Sequence, residues 1–111
     1  MTKRILIVIS EWGYWGEELI GPLDVLTEAG YQLDFMTPFG RKPVALPPSM
    51  DEGFIDVPLK KCVTDSYYAA RTKEVDESEL LSSPLNLSEK LPLMPYFNSD
   101  NFGLELEKFY N

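Results

Sequence analysis

The chain contains no histidine and a single cysteine, Cys62. No internal disulfide can form, and a metal site would have to be assembled from carboxylates and carbonyls, so neither a zinc site nor any other metal or cofactor is expected. A lone thiol also suits a reducing compartment, which makes the cytoplasm the expected location. Basic side chains are scarce as well: ten Lys and Arg stand against eighteen Asp and Glu, for a formal charge of -8 and a pI near 4.4. A surface of that sign repels a phosphate backbone, which excludes nucleic acid as the expected partner. Long apolar stretches are missing too. The run Ile5 to Ile9 follows Lys3 and Arg4 but stops at Ser10-Glu11, too soon for a signal sequence or a membrane span. Asn86-Leu87-Ser88 fits a glycosylation acceptor, yet without an export signal the pattern carries no weight.

What is present describes one small domain. Hydrophobic residues make up 44% of the 111 and aromatics 13%, more apolar payload than a disordered chain carries, so part of it must be buried. Ile5 to Ile9 is a continuous β-branched run, the pattern of a strand buried on both faces of a parallel sheet. After the loop from Ser10 to Gly16, Leu19, Leu23, Leu26 and Ala29 recur at helical spacing, and Gly30 stops that helix. Tyr31, Leu33 and Phe35 then alternate with polar residues, a second strand ended by Thr37-Pro38-Phe39-Gly40. Strand, helix and strand in that order are one βαβ unit, which predicts an α/β domain built on a parallel sheet.

Proline constrains where the helix starts, because it has no N–H for the carbonyl four residues back and its ring crowds that carbonyl. Placing Pro22 in the first turn starts the helix near Glu18. That carboxyl then stands beside the carboxyl end of the first strand, the edge at which open α/β sheets bind ligands. Beyond Gly40 the prolines at 43, 47, 48 and 58 predict a connecting excursion with one brief strand around residues 54–57. A short helix is expected from Lys73 to Leu81, a further turn at Leu87 and Leu91, and a last helix from Asp100 through Phe102, Leu106, Phe109 and Tyr110. Two strands and one covering helix leave a sheet face and both sheet edges bare. Either copies of the chain associate through the sheet, or a second polypeptide completes it.

Three stretches carry a family resemblance: Arg4 to Ile9, then Glu17-Glu18-Leu19-Ile20-Gly21-Pro22-Leu23-Asp24-Val25-Leu26, then Ala29 to Pro38. Together they resemble the opening of ThiJ/PfpI-type proteins in the glutamine-amidotransferase-like superfamily. Gly40-Arg-Lys-Pro43, Pro48-Ser-Met-Asp51, Asp76-Glu-Ser-Glu79 and Pro84-Leu-Asn-Leu87 are similar to the branch of chaperone-like glyoxalases and deglycases. The resemblance implies a flavodoxin-like sandwich, present here as an incomplete parallel sheet with a helical excursion. It also implies a glutamate at the start of the first helix that hydrogen-bonds a reactive cysteine on a strand-to-helix elbow further along. Glu18, four residues before Pro22, matches that glutamate; the glycine-rich segment, the elbow and any histidine partner are not among the 111 residues. The implied activity is that of a small subunit or amino-terminal portion of a cysteine-dependent protease, amidase, glyoxalase or deglycase, completed by another chain. Small carbonyl compounds, amides or peptides would be its substrates. The rival is a non-catalytic interaction module that keeps the βαβ unit for assembly.

Each singled-out residue also has a plainer reading. Glu18 is a proton-sharing acid beside a thiolate, or a first-turn carboxylate favoured by the helix dipole. Trp12, Tyr14 and Trp15 wall a small-molecule pocket or cover a partner chain. Cys62 has no elbow and no histidine, so it reads as a structural thiol rather than a nucleophile. The Gly13 to Gly16 loop lacks a third glycine and sits among Glu11, Glu17 and Glu18, which excludes a phosphate site. Glu74 to Glu79 is a solvated face.

Overall fold

The apolar runs at either side of Gly30 become adjacent parallel strands. The computed structural model describes residues 3–90, so Leu91 and the helix expected from Asp100 lie outside the described residues. In chain order the elements are β1 (Arg4–Val8), α1 (Gly16–Glu28), β2 (Gln32–Thr37), a 3-10 turn (Pro47–Met50), the short strands β3 (Ile55–Asp56) and β4 (Lys61–Cys62), α2 (Ser66–Glu77), β5 (Leu85–Asn86) and a second 3-10 turn (Leu87–Glu89). β1 runs parallel to β2 with Ile5 opposite Leu33 and Ile7 opposite Phe35. Gly30, at φ 88°, lets the chain leave α1 and turn back into β2, a conformation that costs other residues strain. This is the α/β class that the βαβ pattern predicts.

Among the described residues one sheet face is packed and the other is open. Leu19, Ile20 and Leu23 of α1 lie over Ile7, Ile9, Leu33 and Phe35, and burying each of the three helix side chains contributes about 1.5–3 kcal/mol. On the opposite face Leu6 and Val8 remain 48% and 59% exposed. β1 therefore has the composition of a strand buried on both sides but is covered on one. β5 pairs parallel with β2 at Met36 and Thr37, which corrects the expectation that both sheet edges are bare. The outer edge of β1 has no strand beside it among the described residues.

Pro22 does not begin α1. The helix starts at Gly16, after Trp15 as N-cap, and Pro22 lies inside it; the proline deprives the Glu18 carbonyl of its usual donor without ending the helix. Glu18 remains in the first turn, because the true start is two residues earlier than Pro22 implies. The second helix is also displaced from the expectation. It begins at Ser66, not Lys73, because the Asp65 carboxylate accepts from the Tyr68 N–H and caps it. The excursion holds two brief strands where one was expected: β3 and β4 form an antiparallel hairpin with Ile55 opposite Cys62.

α2 packs against α1, so among the described residues no helix covers the opposite sheet face. The two helices are clamped by Arg71, whose guanidinium donates to both oxygens of Asp24 at 2.8 and 3.3 Å, and by the Tyr67 hydroxyl, which donates to Asp24 at 2.9 Å. The Arg71 bond, above all, holds the Asp24 carboxyl below its ordinary value of 3.8. A depressed carboxyl contributes stability that is present above the unfolded pKa and is lost as pH falls through the folded one. The clamp is therefore expected to be intact above about pH 4 and to weaken progressively below 3.8. Urea melts at a series of acid pH values check this: Asp24→Asn should lower stability at neutral pH and lose less than wild type on acidification, and parallel curves would remove Asp24 as a titrating clamp.

Candidate functional site

A cleft of about 470 Å³ opens at the carboxyl end of β1. Its floor is Ile7 to Ser10, and Gly13, Tyr14, Trp15, Glu18, Leu19 and Leu46 form its walls. The wall is held by backbone pairing: the Tyr14 N–H donates to the Val44 carbonyl at 3.1 Å, and the Leu46 N–H donates to the Tyr14 carbonyl at 2.9 Å. Gly13 makes the approach possible. At φ 137° the backbone conformation favours glycine, and an added Cβ, 2.6 Å from Leu46 Cδ2, would also push that leucine's end aside.

Glu18 lines this cleft from the first turn of α1, with its N–H donating to the Trp15 carbonyl at 3.1 Å. Its side chain is exposed. Among the described residues it is the only carboxylate lining the cleft; Glu17 shares the turn, is exposed and does not line it. Trp15 and Tyr14 also face the cleft, whereas Trp12 does not: it is 41% exposed and packs edge-on against Phe39 at 6.3 Å between ring centroids. The Tyr14 hydroxyl is buried without a partner, and burial, with the Asp76 charge adding to it, pushes its pKa up to about 12. That phenol stays protonated near neutral pH, so it can donate or accept a hydrogen bond but carries no charge.

Glu11, in the sequence only a flanking charge of the loop, is a structural tie beside the cleft. It is buried, and its Oε1 accepts from the Phe39 N–H and, at 3.3 Å, from the Arg41 N–H. Those bonds tie the loop after β1 to the loop after β2, and so set the distance between the two strand ends that carry the site. Oε2 is buried with no partner. The available signal was an acid placed directly after the apolar run, at the sheet's ligand edge. Cys62 is exposed on β4 and lies outside the cleft. The described residues contain no cluster of three or more His, Cys, Asp or Glu able to hold a metal ion, and no helix among them is long and apolar enough to cross a membrane.

The family model for ThiJ/PfpI family-like proteins matches residues 9–109. The chain belongs to that family. No curated protein and no solved structure matches it. In this ThiJ/PfpI-like chain the match takes in the loop from Ile9 to Trp15, the first turn with Glu18, and the segment carrying Leu46, which together make up most of the cleft. The described cleft offers an acid and a partly aromatic wall. Its one hydroxyl nucleophile of ordinary reactivity, Ser10, accepts from the Trp12 N–H at 3.2 Å and has no histidine to activate it.

Proposed function

We propose that this chain supplies the acid of a composite, cysteine-dependent site, with Glu18 facing a thiol carried by a second polypeptide. The observation that carries the reading is Glu18 itself: an exposed carboxyl without a side-chain partner among the described residues, lining the cleft at the sheet's ligand edge. Family membership supports it. In the composite site the protonated Glu18 donates to the thiolate and keeps it ionised, and the thiolate attacks the carbonyl carbon of a small carbonyl compound, an amide or a peptide. Tyr14 and Trp15 present an uncharged wall to that substrate. The reaction belongs to the protease and amidase class or to the glyoxalase and deglycase class, and the cytoplasm is a setting that keeps such a thiol reduced.

Intact mass of everything that co-purifies identifies the second polypeptide. Alkylation rate against pH then tests the acid: Glu18→Gln should leave assembly and stability unchanged but shift the pH dependence of the partner's thiol, while Glu17→Gln should not. Identical profiles for the three proteins would reduce Glu18 to an ordinary first-turn acid. A second reading, a non-catalytic interaction module, is favoured by the outer edge of β1, which pairs with no strand among the described residues. A stable homo-oligomer that never co-purifies with a thiol-bearing chain would select it.

A further inference from the structure

The cleft wall is fastened to α2 by one residue. Asp76 Oδ1 accepts from the Ala45 N–H at 3.0 Å, and the Asp76 carbonyl accepts from Lys42 Nζ, also at 3.0 Å. That carbonyl lies in the last turn of α2, where no helical N–H reaches it, so the lysine meets an acceptor that the helix leaves over. Ala45 in turn pairs with Tyr14 in a parallel bridge. Tyr14 spends its N–H and carbonyl on Val44 and Leu46, which leaves the Ala45 N–H pointing away from Tyr14 and toward α2. Ala45 is buried, and an N–H there without an acceptor is costly. The Asp76 carboxylate therefore takes the place of a third strand beside the pair of Tyr14 and Ala45.

The same helix also holds the other side of the cleft. Arg71 binds Asp24 of α1, and Thr72 lies against the start of α1 at Gly16; Glu18 stands in that first turn. α2 is thus joined through Arg71 and Thr72 to the helix that carries Glu18, and through Asp76 to the wall that Tyr14 and Leu46 form. The buried Tyr14 hydroxyl also feels the Asp76 charge, so one carboxylate acts on both the backbone pairing and the phenol of that residue.

We infer that Asp76 is a positioning residue of the cleft: by holding the Ala45 N–H it fixes the wall of Tyr14 and Leu46 relative to Glu18, and so sets the room left for a substrate between them. Its bearing on catalysis rests on the composite-site reading, whereas the placement of the wall needs no second polypeptide. The two fail separately, one on a thiol's pH profile and the other on the exchange of backbone amides.

Amide hydrogen exchange followed by NMR on the full chain is the test, because an N–H in a locally opened segment exchanges faster while the rest of the fold keeps its protection. Asp76→Ala should speed exchange of the Ala45, Tyr14 and Leu46 amides roughly tenfold relative to the Ile9 amide, which bonds the Met36 carbonyl across the sheet. Asp76→Asn keeps an oxygen that can accept from Ala45, so it should hold the wild-type ratio to within about threefold. Asp65→Ala removes the cap of α2 and should weaken the fold without changing that ratio. Should the alanine variant not fold, Asp76→Glu decides: it keeps the charge but carries the acceptor one methylene further, and should speed the same three amides selectively. Equal acceleration of all four amides, an unchanged ratio in the alanine or glutamate variant, or an asparagine variant that behaves like alanine would each overturn the inference.

Discussion

Gly16→Ala is expected to destabilise the protein by about 3 kcal/mol, the upper part of the range for overpacked sites. An added Cβ would lie 2.1 Å from Thr72 Oγ1, 2.3 Å from Cγ2 and 2.7 Å from Cβ. Thr72 is fully buried on α2, and because its own Cβ is part of the clash, no rotation of the side chain relieves it. The helices would have to separate, while the better helix propensity of alanine returns at most about 1 kcal/mol. Urea unfolding measures the loss. Adding Thr72→Gly should recover most of it, less about 1 kcal/mol for a glycine within α2. Because Glu18 is two residues along the same turn, the single variant should also disturb the cleft. Wild-type stability in Gly16→Ala would mean that α1 and α2 are not in this close contact.

Glu11→Ala should cost about 2–4 kcal/mol, since it removes a charged acceptor and leaves the Phe39 and Arg41 N–H groups without it in a partly buried setting. Glu11→Gln keeps an acceptor oxygen and loses the charge, so its cost should fall between wild type and alanine. Chemical denaturation gives the ranking, and a local signal accompanies it. Trp12 packs on Phe39, so freeing the Phe39 loop should alter tryptophan emission in the folded alanine variant before any global unfolding. Equal stability of all three proteins would show that Glu11 holds nothing in place.

Both positions illustrate what a linear reading reaches and what it does not. The βαβ unit was legible because its signals are local: an apolar run, a helical period closed by Gly30, then alternation through Phe35. The first-turn position of Glu18 was legible too, although Pro22 lies inside α1 and the helix starts at Gly16. α2 was read late because its first turns hold Tyr67, Tyr68, Ala69 and Ala70, whose apolar spacing is weak. Its real start signal is the Asp65 cap. β5 could not be read at all, since two residues have no periodicity and become a strand only by pairing with Met36 and Thr37.

The sequence by itself determined the α/β class, the parallel pairing unit, the family, and the carboxyl that faces the ligand edge, since each depends on residues within one element or on a contiguous motif. Only the tertiary structure decided that Glu11 is a buried tie between strand ends, because its acceptors' donors lie 28 and 30 residues away. The same holds for the exclusion of Trp12 from the cleft and for the requirement for glycine at position 16, set by Thr72 on another helix. The face and edge of β1 that the described residues leave open belong to this second group as well. A continuous apolar strand states that both sides should be buried, but which side stays uncovered depends on where α1 and α2 pack, and that is set by contacts between elements distant along the chain.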